Sequence, residues 1–157
     1  MASASHGAAL SNTHWAGCAC GCVRLRASGF PERVGLCHCL DCRKTHAAPF
    51  MAFVVFRAEQ VAITGPAGKE LPTGALGRFE SQYGYQRFFC TTCGSHVFGR
   101  IDGSAEVELH LGSFDETNLW TPTYECRTVR REHWLGALPT ITNCFGMNRR
   151  QAEDEPG

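Results

Sequence analysis

The sequence predicts a mainly β protein with few short helices, held together by bound metal. The first observation is a series of short apolar runs broken by Gly, Pro, Thr or Asp, which is typical of strands joined by turns. The second is that seven of the ten cysteines fall into three tight clusters with the spacing of metal ligands. The third is the length of 157 residues, which corresponds to one domain with one hydrophobic core.

The hydrophobic pattern predicts the individual strands. Val23, Leu25 and Ala27 alternate with two arginines, as in a strand with one buried face. The continuous apolar run at 51–56 is short for a helix and rich in β-forming residues, so it predicts a buried strand. Further strands are predicted at 61–64, 77–80, 86–89, 96–100, 107–111 and 124–129.

Helical segments are few and short in this pattern. The sequence predicts one or two helical turns at 41–47 and another turn at 115–119. The domain boundaries follow from composition, with flexible tails predicted at 1–13 and 149–157 and a single metal-binding domain at 14–148.

Composition excludes several classes of partner. Fifteen basic residues balance fifteen acidic ones, so there is no basic excess to attract nucleic acid or an anionic membrane surface. No apolar run approaches the length of about 20 residues that crosses a bilayer. The N-terminal residues lack the basic and apolar regions of a signal peptide, so we expect reduced cysteines in a cytoplasmic protein.

Two cysteine pairs fit one closed metal site. One residue separates Cys18 from Cys20 and two separate Cys90 from Cys93, so tight turns can aim each pair of sulfurs at one point, about 2.3 Å from a zinc ion. Four thiolates complete the tetrahedral coordination of a structural zinc. We therefore expect a structural zinc that joins the beginning of the domain to its middle.

The third cluster, Cys37-His-Cys39-Leu-Asp-Cys42, offers only three thiolates. Three protein ligands leave one tetrahedral position open, which is the usual difference between a catalytic zinc and a structural one. His38 could instead complete a closed site, although its place between two ligating cysteines favours a side chain that points away. A remote histidine or cysteine is another candidate for the fourth ligand, and free core cysteines are a further alternative. The remote cysteines are Cys22, Cys126 and Cys144.

An open three-thiolate zinc suits sulfur chemistry. Its formal negative charge makes it a modest Lewis acid, but it binds soft ligands well. An incoming thiol loses its proton and is held as an oriented thiolate, ready to add to a small electrophile. The predicted reaction class is therefore the formation or cleavage of a carbon–sulfur bond.

Two other kinds of function remain open at this stage. In the first, both zinc ions are structural and the domain is a non-catalytic binding module for a protein partner. In the second, the protein is a thiol-based redox enzyme of the methionine sulfoxide reductase type. That chemistry needs a reactive cysteine outside the metal sites. The candidates are Cys22, Cys126 and Cys144.

The cysteine clusters and their neighbours resemble the family of glutathione-dependent formaldehyde-activating enzymes, whose domain also occurs in centromere protein V. The resemblance covers residues 17 to about 139. Four segments carry it: Cys18-Ala-Cys-Gly-Cys-Val, Cys37-His-Cys-Leu-Asp-Cys-Arg-Lys, Phe89-Cys-Thr-Thr-Cys-Gly and Arg130-Arg-Glu-His-Trp-Leu.

The resemblance implies a fold, a metal content and a reaction. The fold is the β-tent, with a structural zinc on Cys18, Cys20, Cys90 and Cys93. The second zinc, on Cys37, Cys39 and Cys42, is the implied reaction centre. The implied reaction is the reversible condensation of glutathione with formaldehyde to S-(hydroxymethyl)glutathione, a carbon–sulfur lyase activity. Zinc is then the cofactor, with two ions per chain, and glutathione is the thiol co-substrate.

Two basic residues directly after the third cluster are candidates for substrate binding. Arg43 and Lys44 could pair with the carboxylates of glutathione. The alternative is that both are solvated charges on a short helix.

Overall fold

The computed structural model describes residues 12–81 and 84–145, and this part of the chain is mainly β, as predicted. It contains eleven strands, one α-helix and several short 3₁₀ turns. The elements are β1 (Thr13–Gly17), β2 (Arg24–Ser28), β3 (Arg33–Cys37), α1 (Leu40–His46), β4 (Met51–Arg57), β5 (Val61–Thr64), β6 (Leu76–Glu80), β7 (Tyr85–Cys90), β8 (His96–Ile101), β9 (Glu106–His110), β10 (Tyr124–Cys126) and β11 (Asn143–Phe145).

The strands form two sheets. The small sheet has the order β1-β2-β5, and the large sheet has the order β11-β10-β3-β4-β9-β8-β7-β6. Most neighbours are antiparallel, but β10 runs parallel to both β3 and β11. The main core contains side chains of both sheets, among them the fully buried Leu25, Phe56 and Leu109. The small sheet therefore packs against one face of the large one.

Strand β4 is buried on both faces, which explains its continuous apolar run. Val54 and Phe56 point into the main core. Met51, Phe53 and Val55 alternate with them and belong to a second core on the opposite face, which also contains cysteines of the third cluster. The prediction of a buried strand at 51–56 is confirmed, and β4 connects the main core with that cluster.

Each predicted strand overlaps an observed one, but β1, β3 and β11 were not predicted. Gly35 in the middle of β3 weakens the strand signal, because glycine is depleted in strands. The structure requires it, since a Cβ atom at this position would lie 2.6 Å from the ring of Tyr124. The predicted strand at 124–129 ends early, at Cys126, because Arg127 takes the left-handed conformation with φ 58°.

The helix prediction at 41–47 is confirmed by α1, which ends where Ala47 turns left-handed. The prediction at 115–119 is wrong. Those residues are irregular, with Asn118 at φ 61°, and the nearest helical turn is at Leu111–Ser113. The predicted tail at 149–157 lies outside the described residues, and so does most of the predicted tail at 1–13. Strand β1 begins at residue 13. No helix in the described ranges has the length and apolar character needed to cross a membrane.

Candidate metal centres and the adjoining pocket

The first cysteine cluster brings two distant turns together. Cys18 and Cys20 lie in the turn between β1 and β2, where the Gly21 N–H donates to the Cys18 carbonyl at 3.0 Å. Cys90 is the last residue of β7 and Cys93 lies in the turn that follows, where the Gly94 N–H donates to the Cys90 carbonyl at 2.8 Å. The four sulfurs lie within 4.8 Å of one another, so the structure assembles the predicted set.

The sulfur geometry of this cluster fits a tetrahedral metal. The Sγ atoms of Cys18 and Cys20 are 3.5 Å apart, and those of Cys20 and Cys90 are 3.7 Å apart. Four thiolates about 2.3 Å from a zinc ion would be about 3.8 Å from each other. This cluster could therefore hold one closed four-sulfur ion.

Ser95 connects the two turns of the first cluster. Its hydroxyl accepts a hydrogen bond from the Ala19 N–H at 3.1 Å and lies 3.3 Å from the Cys93 sulfur. Hydrogen bonds from the Ser95 side chain and backbone lower the pKa of Cys93 to about 5. At Cys93 the surroundings thus favour the thiolate form that binds a metal.

The second metal-binding cluster consists of Cys37, Cys39 and Cys42, the third group of cysteines in the sequence analysis. It lies where β3 ends and α1 begins. Cys37 is the last residue of β3, Cys39 is the N-cap of α1, and Cys42 lies in its first turn. The Cys39 side chain caps the helix, because its sulfur accepts a hydrogen bond from the Cys42 N–H at 3.3 Å. Cys37 and Cys42 are buried, whereas Cys39 is half-buried. The sulfurs lie within 4.8 Å of one another, with no fourth His, Cys, Asp or Glu ligand among the described residues.

The three thiols of the second cluster interact strongly. Hydrogen bonds from Cys37 and then from Cys42 hold the pKa of Cys39 well below its ordinary value. The pKa of Cys42 is raised, because its thiol shares hydrogen bonds with Cys37 and Cys39 and is desolvated. Three sulfurs this close share one negative charge, and a soft divalent cation that replaced the thiol protons would allow all three to ionise. The donor set therefore fits a soft metal ion.

His38 does not join the second cluster. Its ring is fully buried, and its Nε2 atom lies 2.9 Å from the Glu125 carboxylate. Glu125 also pairs with Arg131 and accepts a hydrogen bond from the Cys144 thiol at 3.3 Å. Of the two readings that the sequence left open, the structure favours a histidine that points away from the sulfurs.

Arg87 is a site residue that the sequence did not reveal. It lies on β7, is only 4% exposed, and donates from Nη2 to the Cys42 sulfur at 3.5 Å. Its guanidinium packs on the Tyr85 ring at 4.9 Å, and the Tyr85 hydroxyl donates to Glu108 at 2.7 Å. A buried cation beside three sulfurs compensates their negative charge. The alternating pattern of a strand does not predict a buried Arg87, because an arginine in a strand usually faces water.

The remaining cysteines lie outside both clusters. Cys126 is buried opposite Cys37 in the pairing of β10 with β3, and its thiol is 3.5 Å from the Leu36 carbonyl. Cys22 packs against the main core, and Cys144 is exposed. None of the ten cysteines is paired in a disulfide, and their reduced state in the cell stays a prediction.

The two predicted substrate-binding cations have different surroundings. Arg43 is paired with Glu132 and donates to the Arg130 carbonyl at 2.8 Å. Lys44 is exposed and borders a shallow groove with Leu40 and Pro49. A substrate carboxylate would have to compete with Glu132 for Arg43, and the role of both cations stays a prediction.

An open pocket of about 820 Å³ adjoins the first cluster. Cys18 and Cys20 line one part of it, and Phe50, Met51 and three histidines line another. The Phe50 ring lies 5.8 Å from the ring of His38, which separates two cysteines of the second cluster. The pocket therefore reaches the layer of side chains next to the second cluster without being lined by its sulfurs.

The chain belongs to the family of glutathione-dependent formaldehyde-activating enzymes. The model of that family matches residues 13–130, which include both cysteine clusters. The family assignment made from the cysteine motifs is confirmed.

Two curated proteins are similar to parts of the chain. One, from Fusarium vanettenii, is 32% identical over 91 residues, which is 52% of this chain and 46% of that protein, and its name assigns it provisionally to the glutathione-dependent formaldehyde-activating enzymes. The other, an uncharacterised lyase of Schizosaccharomyces pombe, is 28% identical over 81 residues, which is 52% of this chain and 53% of that protein. The matches thus span about half of each curated relative.

A crystal structure of a Rhodobacter sphaeroides protein has a similar fold. The TM-score is 0.51 at 18% identity, and the match covers 67% of this chain and 91% of that one. At this identity the similarity concerns the fold alone.

Proposed function

We propose that this protein reversibly joins a small thiol to a small electrophile at a zinc ion held by Cys37, Cys39 and Cys42. The observation that carries the proposal is a three-sulfur cluster, without a fourth ligand among the described residues, in a member of this family. The family description suggests glutathione and formaldehyde as substrates. The product would be S-(hydroxymethyl)glutathione, and the activity that of a carbon–sulfur lyase.

The two clusters would have different roles. Cys18, Cys20, Cys90 and Cys93 would hold a structural zinc that ties the small sheet to the large one. A zinc ion at the second cluster would supply one open position that favours the deprotonated form of a thiol. Cysteine-rich proteins with reduced thiols are typical of the cytoplasm, which is the proposed location.

The residues around the second cluster support this chemistry. Buried Cys37 and Cys42 fix two of the sulfurs, and the half-buried Cys39 gives the cluster its contact with solvent. The Arg87 guanidinium offsets negative charge at Cys42. The buried pair of His38 with Glu125 holds the backbone between the first two ligands.

The overall reaction needs no oxidant or reductant. The S–H bond of the thiol breaks, a C–S bond forms at the carbonyl carbon, and the carbonyl oxygen receives the proton. A redox enzyme would instead require a reactive cysteine outside the clusters. The proposed reaction therefore predicts that Cys22, Cys126 and Cys144 are dispensable for activity.

The test compares zinc content and thiol exchange in the wild type and in Cys39→Ser. Because glutathione and formaldehyde also combine without an enzyme, the measured quantity is the acceleration of their exchange, followed by magnetisation-transfer NMR. We expect two zinc ions and acceleration for the wild type, and one ion without acceleration for Cys39→Ser. Cys22→Ser, at a position outside both clusters, is the matched control and should behave as wild type.

The opposite result would favour a binding module. Two zinc ions of equal affinity, no acceleration by the wild type and no change of metal affinity with glutathione would overturn the enzymatic proposal.

A further inference from the structure

Unsatisfied buried polar atoms are concentrated in one region of the described structure. Ten buried side-chain nitrogen or oxygen atoms there lack a hydrogen-bond partner, and six of the ten belong to four neighbouring residues. Such atoms are rare in native proteins, because a buried polar group without a partner costs free energy. The six are His46 Nε2, Arg87 Nε and Nη1, His96 Nδ1, and Nδ1 and Nε2 of His110.

Three of these residues form a histidine cluster in the wall of the pocket. His46 comes from α1, His96 from β8 and His110 from β9. The ring centroid of His46 lies 4.3 Å from that of His110 and 5.4 Å from that of His96. His110 is only 5% exposed, and although the His96 backbone lies near its ring, neither ring nitrogen has a partner in hydrogen-bond geometry. The tertiary structure thus brings three imidazoles with unsatisfied ring nitrogens together in the pocket wall.

The imidazoles are neutral at physiological pH. Burial, reinforced by the neighbouring histidines and by Arg87, lowers the pKa of His110 to about 3. Burial, His96 and Arg87 lower that of His46 to about 4. A neutral imidazole carries one N–H that can donate to an acceptor. The guanidinium of Arg87 adds a positive potential behind these donors, which favours an anionic acceptor.

Other charged groups near the pocket already have partners. Asp115 in the pocket wall is paired with Arg24, which donates to it at 3.0 Å. Arg43, the cation expected to bind substrate, is paired with Glu132. The histidine cluster with Arg87 therefore contains the unsatisfied donors that a carboxylate would complete.

We propose that His46, His96 and His110 form a subsite that binds a carboxylate of the thiol substrate. His46 follows Cys42 by one helical turn, so their Cβ atoms are about 6 Å apart. A three-residue peptide spans about 10 Å when extended, so a thiol at the second cluster can place a carboxylate here. The identity of glutathione as the ligand rests on the proposed function, but the carboxylate chemistry follows from the donors alone.

The test uses the zinc-loaded protein and two probes without a thiol. S-methylglutathione carries the carboxylates of glutathione, and formate is the smallest carboxylate. We expect both to shift the side-chain ¹⁵N signals of His46, His96 and His110, while the signal of exposed His133 stays unchanged. His110→Phe keeps a planar ring but has no N–H, so the loss of one hydrogen bond to a carboxylate should weaken binding of S-methylglutathione about tenfold or more. His133→Phe is the matched control and should bind as the wild type does.

His96→Phe, at a half-buried position, provides a second variant if His110→Phe fails to fold, which circular dichroism and zinc content will show. Formate binding at the histidines without S-methylglutathione binding would support the carboxylate subsite and contradict glutathione as its ligand. Unchanged histidine signals with both probes would overturn the subsite, even if the wild type accelerates thiol exchange.

Discussion

Nε2 of His38 lies 2.9 Å from Oε2 of Glu125, a residue 87 positions later in the chain. Both side chains are almost completely buried, and Arg131 pairs with the same carboxylate. Because His38 separates Cys37 from Cys39, this contact connects β10 to the segment that carries two of the three sulfurs of the second cluster. Residues that orient ligands in this way usually affect metal affinity although they do not touch the metal.

Glu125→Gln is expected to weaken zinc binding at the second cluster. The amide keeps the size of the side chain but loses the charge that holds His38 and Arg131. Outer residues of metal sites typically change affinity by about 10–100-fold, and we expect the lower end because His38 is not a ligand. Competition with a chromophoric chelator measures the zinc affinity of both clusters. The exposed variant Glu116→Gln is the control, and equal affinities in both variants would contradict the orienting role.

Cys126→Ala should retain both of the proposed zinc ions. Cys126 lies next to Cys37 in the sheet, but its sulfur is not part of the group within 4.8 Å. The expected changes are a modest loss of stability, about 1 kcal/mol, and no loss of metal by elemental analysis. Release of one zinc ion would instead identify Cys126 as a fourth ligand.

Cys93→Ser should remove the zinc ion proposed at the first cluster and destabilise the whole domain. The cluster joins the β1–β2 turn to the β7–β8 turn, and structural zinc can contribute about 10 kcal/mol or more to folding. We expect a fall in melting temperature of more than about 10 °C, measured by circular dichroism. Cys22→Ser, which changes a cysteine of the β1–β2 turn that is not part of the cluster, should lower the melting temperature much less. Similar melting temperatures for the two variants would argue against a structural metal.

Arg87→Met should lower the affinity of the second cluster for zinc. Its guanidinium contacts the Cys42 sulfur, and without this charge the three thiolates repel one another more strongly in a buried place. The expected loss is about tenfold, with an intermediate value for Arg87→Lys, which keeps the charge and loses the planar donors. Chelator competition provides the measurement, and exposed Arg78→Met is the surface control. Unchanged affinity in Arg87→Met would mean that the contact is only structural.

The buried His110 should make stability depend on pH below about 6.5. Burial lowers its pKa in the folded protein to about 3, whereas the unfolded chain takes up the proton near the ordinary value of about 6.5. The unfolded state thus binds more protons between these values. The contribution of neutral His110 to the free energy of unfolding is fully present above pH 6.5. It is lost as the pH falls toward 3, by up to about 1.4 kcal/mol per pH unit.

His110→Gln should reduce the slope of the unfolding free energy against pH by the contribution of about one proton. Urea unfolding of zinc-loaded protein at pH 7.0, 6.0 and 5.5 measures it, and the difference between variant and wild type removes the acid sensitivity shared by the cysteine clusters. His133→Gln should keep the slope of the wild type. A slope in His110→Gln equal to that of the wild type would show that His110 does not titrate as its burial requires.

Local patterns in the sequence predicted most of the strands and both sets of cysteines. Cysteines one or two residues apart are brought together by a single turn, so their spacing alone indicates a metal site. Strand β3 was missed because Gly35 gives no strand signal, and its place between Phe53 and Tyr124 depends on contacts made by other strands.

The sequence by itself determined the class of fold, the four-plus-three division of the clustered cysteines and the family. The tertiary structure alone decided what surrounds the second cluster. It places Arg87 against Cys42, Glu125 against His38, and the three histidines in one pocket wall. These contacts join residues from different strands or from a strand and the helix, and no periodicity or spacing encodes them. They arise because folding removes such side chains from water, where each must then find a partner or a ligand.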